Sequence, residues 1–149
     1  MRLLAACLAA AALVASGGCL GQGGTVTLTF DQQSSVTPTI SNFTASNATA
    51  VDSSSDGFIH FTATGAQGTL TILIVGPIKT GDMVDMMTEH NFLSFDRAGT
   101  PAAGWSNNGG IVAVDGVMPY KLRFLAVPML RGSGDAMGSF VVNGSGTFN

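Results

Sequence analysis

Few residues in this chain could carry out chemistry, and their spacing limits which chemistry that could be. His60 and His90 are its only imidazoles. A serine nucleophile needs a histidine base and an acid to orient it. Gly132-Ser133-Gly134 and Gly144-Ser145-Gly146 are the nearest approaches to a nucleophile turn, and both read as flexible glycine-serine connections. Zinc favours cages of histidine and cysteine, which two histidines and a leader-bound cysteine do not supply. Asp82, Asp85, Glu89 and His90, with Asp96 beyond, form an acidic cluster. Calcium takes six to eight oxygens and the helix-loop-helix calcium spacing is absent, so the cluster reads as an exposed acidic loop. Convergence of His60, His90 and Asp96 would be needed for a metal-assisted hydrolase, the least favoured reading. No glycine-rich loop ends in Gly-Lys-Thr, and Gly21 to Gly24 precede a strand rather than a helix, so a phosphate cradle is not expected. No catalytic residue, metal or cofactor is therefore assigned.

A binding surface has more support. Trp105 lies in Ala103-Gly104-Trp105-Ser106-Asn107-Asn108-Gly109-Gly110, a stretch that reads as a loop. An indole flanked by small polar residues suits stacking on a sugar or gripping a protein, because aromatic side chains dominate binding hot spots. Trp105, Asn107 and Asn108 are the candidate ligand-binding residues, with a glycan or an envelope protein as partner. The competing reading folds Trp105 back as a lid on the core. Met118, Met129 and Met137 read as gap-fillers of that core. Six basic residues in 149 cannot build a phosphate-neutralising stripe, which excludes nucleic acid as a partner.

The elements that must position these groups have a period of two. Thr25 to Phe30 places Val26, Leu28 and Phe30 on one face and threonines on the other, the pattern of a half-buried strand. Residues 39–45 offer a weaker strand, and 46–57 read as a polar loop. Strands are expected over 57–64 and 69–75, joined as a hairpin by Ala66-Gln67-Gly68. The stretch 82–90 fits a short strand or a helical turn, the strand being favoured. Further strands are expected over 91–96, 111–115 and 120–127, and a terminal strand over 137–143 and 146–149 with a glycine kink or bulge between its two parts. Loop signals cover 99–101 and 104–110, and Pro128 reads as the end of its strand. Eight or so short strands without a sustained helical period predict an all-β fold, an antiparallel β-sandwich with a small barrel as the alternative. A membrane-spanning barrel would need about ten alternating residues per strand, and the polar loops take too much of the chain.

Ahead of the strands stands a leader. Arg2 is the only charge before Asp31, and Leu3 to Ala15 is an unbroken apolar run. It falls short of the roughly 20 residues needed to span a bilayer. A positive start, an apolar run and small residues make residues 1–18 a signal peptide, so the chain is expected to be exported. Ala15-Ser16-Gly17-Gly18-Cys19-Leu20 resembles the lipobox of bacterial lipoproteins, with Ser16 where that family favours Leu. The resemblance implies acylation of the Cys19 sulfur, cleavage just before it, and a membrane-lipid anchor in the cell envelope. With Leu20 next, it implies the outer membrane where two membranes exist. Ordinary cleavage near Ser16 or Gly17, leaving Cys19 as a lone thiol, is the alternative. Residues 19–24 would then be a short tether and 25–149 a single domain. Losing the leader removes Arg2 and leaves five basic against nine acidic residues, a mildly acidic body. Gly81-Asp82, Phe92 to Phe95, Gly138-Ser139-Phe140 and Gly146-Thr147-Phe148 also resemble small secreted β-sandwich lipoproteins of unknown function. That resemblance brings no catalytic residues with it. A lipid-anchored, non-catalytic binding or structural module is the expectation, and a secreted glycan-binding domain is its alternative.

Overall fold

A computed structural model describes residues 23–32, 35–53, 55–87 and 90–149. The expected signal peptide, Cys19, residues 20–22 of the tether and Glu89 lie outside them. The described residues form ten strands and no helix. These are β1 (Gly24–Gln32), β2 (Phe43–Ser53), β3 (Phe58–Gly65), β4 (Gly68–Val75), β5 (Met83–Asp85), β6 (Phe92–Arg97), β7 (Ala103–Asn107), β8 (Ile111–Val117), β9 (Tyr120–Gly134) and β10 (Phe140–Phe148).

Every pairing is antiparallel, and the sheet closes on itself. From β10 it runs through β1, β2, β3, β4, β6, β7 and β9, and β9 pairs back to β10. The all-β expectation therefore holds, but the two layers of a sandwich are replaced by the alternative, a barrel of eight strands. The cause is the long β9. One edge of it carries β10 from Tyr120 to Met129. The other carries β8 opposite Tyr120 to Leu125 and then β7 opposite Met129 to Gly134. A strand that serves both neighbours leaves the ring no free edge. β8 and β5 continue the sheet outside the ring.

An eight-stranded barrel is just wide enough for side chains to fill it, and aromatic rings do so here. Phe30, Phe43, Phe95, Phe140 and Trp105 touch in one cluster, with ring centroids 4.8 to 5.6 Å apart. Phe61 meets Tyr120 and Phe148 edge-on in a second cluster, at 5.3 and 5.2 Å. Outside, β1 shows Thr25, Thr27 and Thr29 to solvent, and Val26, Leu28 and Phe30 face in.

Three segments differ from the sequence reading. The polar stretch 46–53 belongs to β2. The residues of this stretch packed on the core are alanines (Ala48 and Ala50), too small to give a strong alternation. Ala103 to Asn107 is strand β7 and not loop. Pro128 lies within β9, where the edge passes from β8 to β7. There Ala126 has a φ of 51°, and such irregularities are where a strand tolerates proline. The favoured short strand in 82–90 is present as β5, with Val84 buried between Met83 and Asp85.

The barrel has two distinct ends. At the entry end lie Gly24, the β2–β3 hairpin, the stretch after β4, the Met118-Pro119 turn and Asn149. Asn149 closes it there, since Ala50 N–H donates to its carbonyl at 2.8 Å. The far end gathers the β1–β2, β3–β4, β6–β7 and β9–β10 connections. Thr37 and Met137 pair across it, and Asp135 N–H donates to Ala102 O at 2.8 Å.

Candidate ligand-binding surface

Alternation along β6 turns Leu93 and Phe95 inward and Phe92, Ser94 and Asp96 outward. In register beside them, Ser94 faces Ser106 and Asp96 faces Gly104 on β7. Gly104 in turn faces Ser133 on β9. Two glycines, Gly104 and Gly132, sit side by side on this wall. A Cβ on Gly104 would lie 2.4 Å from Asp96 Oδ1 and 2.7 Å from Ser133 Oγ. The Asp96 and Ser133 side chains thus close over Gly104, and beside them lies a trough of about 350 Å3 lined by Phe92, Ser94, Asp96, Trp105, Ser106 and Ser133. A second depression of about 260 Å3, lined by Met87, Asn107 and Asn108, adjoins it and shares Phe92. Phe92 is 40% exposed and so presents an aromatic surface to both.

The sequence-derived candidates separate across this wall. Trp105 is in β7, is 1% exposed, and packs edge-on against Phe140. The expected loop position is corrected, and the lid reading comes nearer, because alternation in β7 turns the indole into the barrel. A buried indole offers no face for stacking from solvent. Its Nε1–H and the Oε1 of Gln67 are buried without a hydrogen-bond partner among the described residues. Asn107 and Asn108 do line the second depression. The Asn107 amide is already committed, accepting from Leu93 N at 2.8 Å and donating to Met86 O at 2.6 Å. It brackets the start of β6. Asn108 is exposed, with its backbone N–H on Pro128 O. Phe92 is the residue that sequence reasoning missed. Its signal was its phase: it alternates with Leu93 and Phe95 on the opposite face.

The sequence matches no family model, no curated protein and no solved structure.

The titratable groups are dispersed. His60 lies opposite Leu73, which lies opposite Phe92. Asp96 is four residues further along β6, so about 13 Å of strand and two strand spacings of about 4.8 Å separate it from His60. His60 Nε2 is instead paired with Asp56 Oδ2 at 2.8 Å. The Phe58 N–H bond first, and then the His60 bond, hold the Asp56 carboxyl below its ordinary value. Arg123 grips Asp115 through two bonds of 2.9 Å, which lowers the carboxyl and raises the guanidinium. Among the described residues no three histidine, cysteine or acidic side chains come together as metal ligands. Of the methionines read as gap-fillers, only Met129 is buried. Met118 and Met137 are exposed.

Proposed function

We propose that this chain is an exported lipoprotein, acylated at Cys19, whose barrel is a non-catalytic binding module held at the membrane of the cell envelope. Where the cell has two membranes, the outer one is its place. The observation that carries this reading is a cysteine that follows an apolar leader and stands five positions before the first barrel strand. One acyl chain attaches only marginally, so stable anchoring needs two or more, which modification of both the sulfur and the new amine supplies. The filled barrel interior and the dispersed titratable groups favour binding over catalysis. Metabolic labelling with radioactive palmitate tests the anchor. Label is expected in the native chain and not in Cys19→Ala. An unlabelled native chain whose mature mass lacks acyl groups overturns the reading.

A second reading, recognition of a neutral glycan, is favoured by the trough beside Phe92. An aromatic face next to hydroxyls and one carboxylate suits a sugar ring, whose C–H face stacks while its hydroxyls both donate and accept. Phe92 takes the role that the sequence offered to Trp105. In a screen of neutral oligosaccharides, Phe92→Ala is expected to weaken binding by about tenfold or more, as removal of a central aromatic anchor does. Binding unaffected by Phe92→Ala and Asp96→Asn removes the trough from consideration.

A further inference from the structure

The barrel's end faces each carry an exposed methionine, and the tether leaves from the one with Met118, the more exposed of the two. By register, Val26 faces Gly146 on β10, which puts Gly24 beside Phe148. Phe148 faces Tyr120 on β9. Two strand spacings, about 10 Å, therefore separate the root of the tether from the start of β9. Met118 projects from the β8–β9 turn two residues before Tyr120. It is 95% exposed, the most exposed of the large apolar side chains described. Such a side chain at a turn has no packing role in the barrel.

Lys121 follows this turn in β9, and Lys79 lies in the loop before β5 that β8 holds. Lys121 lies against Gly116, its Cγ and Cδ 3.5 Å from where a Cβ there would stand. The Lys79 loop is pinned to β8 by Gly81 N–H on Val114 O at 2.8 Å and by Val114 N–H on Asp82 O at 2.9 Å. Neither lysine is in an ion pair among the described residues. Of the carboxylates near them, Asp115 is engaged by Arg123, and Asp82 Oδ2 accepts from the Lys79 backbone N–H at 2.8 Å. An apolar tip with lysines on the adjoining strand and loop suits the boundary of a phospholipid bilayer, where lysine stems lie along apolar surface and their heads reach phosphate. Gly24 stands five positions after Cys19, so the tether extends at most about 18 Å. An acylated Cys19 therefore brings the entry end, and not the far end, against the lipid.

We propose that the β8–β9 turn makes a second, non-covalent contact with the phospholipid surface, with Met118 entering the headgroup–acyl boundary and Lys79 and Lys121 on lipid phosphates. This rests on the acylation of Cys19 proposed above. The test uses the full chain, processed in a lipidating bacterial host and reconstituted into phosphatidylcholine–phosphatidylglycerol vesicles whose acyl chains carry bromine, a short-range quencher of tryptophan. Met118→Trp is compared with Met137→Trp at the far end and with the native chain, whose only indole is the buried Trp105. Co-flotation with the vesicles is expected for all three, with loss of most of the added emission in Met118→Trp alone. Co-flotation with Met118→Trp unquenched, or with Met137→Trp quenched equally, overturns the contact and leaves the anchor standing. A chain that stays behind the vesicles with an unmodified N-terminus overturns both.

Discussion

Trp105 shows how far a single residue's neighbours can mislead. Glycine, serine and asparagine on either side look like a loop, yet in β7 the same small residues line the outer wall while the indole fills the barrel. Local composition cannot separate these cases, because the inward phase is set by pairing with β6 and β9. Truncation of such a large core side chain costs about 3–5 kcal/mol. Trp105→Ala is therefore expected to lower the denaturation midpoint in urea by that equivalent, and acrylamide is expected to quench the native indole poorly. Asp56 carries the second prediction at this scale. Its carboxyl is lowered from 3.8, so the ionised form stabilises the folded state. That contribution is complete above the unfolded value and is lost as pH falls through the lowered one. As pH falls below the ordinary carboxylate range, the difference in melting temperature between the native chain and Asp56→Asn is expected to shrink. A difference that grows within that acid range contradicts the assignment.

Among the elements, β1, β3 and β4 were legible because large apolar residues alternate with threonine along each. Beyond Phe43, β2 was hidden by the small Ala48 and Ala50 at its inward positions. β9 was read as ending at Pro128, because proline in mid-strand ordinarily marks a stop. The bend near that proline has its own strain. Ala126 holds a left-handed φ of 51°, and its N–H is bonded to Asn143 Oδ1 at 2.9 Å. A side chain in that region costs about 1 kcal/mol relative to glycine. Ala126→Gly is expected to raise stability by about that amount in an equilibrium unfolding curve. Gly144, on the neighbouring β10, is the opposite case. Its φ is +129°, and a Cβ there would stand 2.3 Å from Thr27 O. Gly144→Ala is expected to lower stability by at least about 1–3 kcal/mol, because backbone cannot move aside as a flexible side chain can.

For the molecule as a whole, strand spacing and alternation indicated an antiparallel β fold and left its closure open, since sandwiches and small barrels use the same local patterns. What decides between them is long-range: β10 pairs with β1 at one edge and β9 at the other. Removal of residues 146–149 takes away buried Phe148 and the bonds of Asn149 to β2. The shortened chain is expected to lose its cooperative thermal transition by circular dichroism, and retention of a native-like transition would show that closure is dispensable.

Because β10 joins β1 on one side and β9 on the other, the two sheet edges that it covers stay open to foreign strands until it docks. A ring of this kind is most exposed to pairing with its own copies just before that docking, and offers them no such edge afterwards.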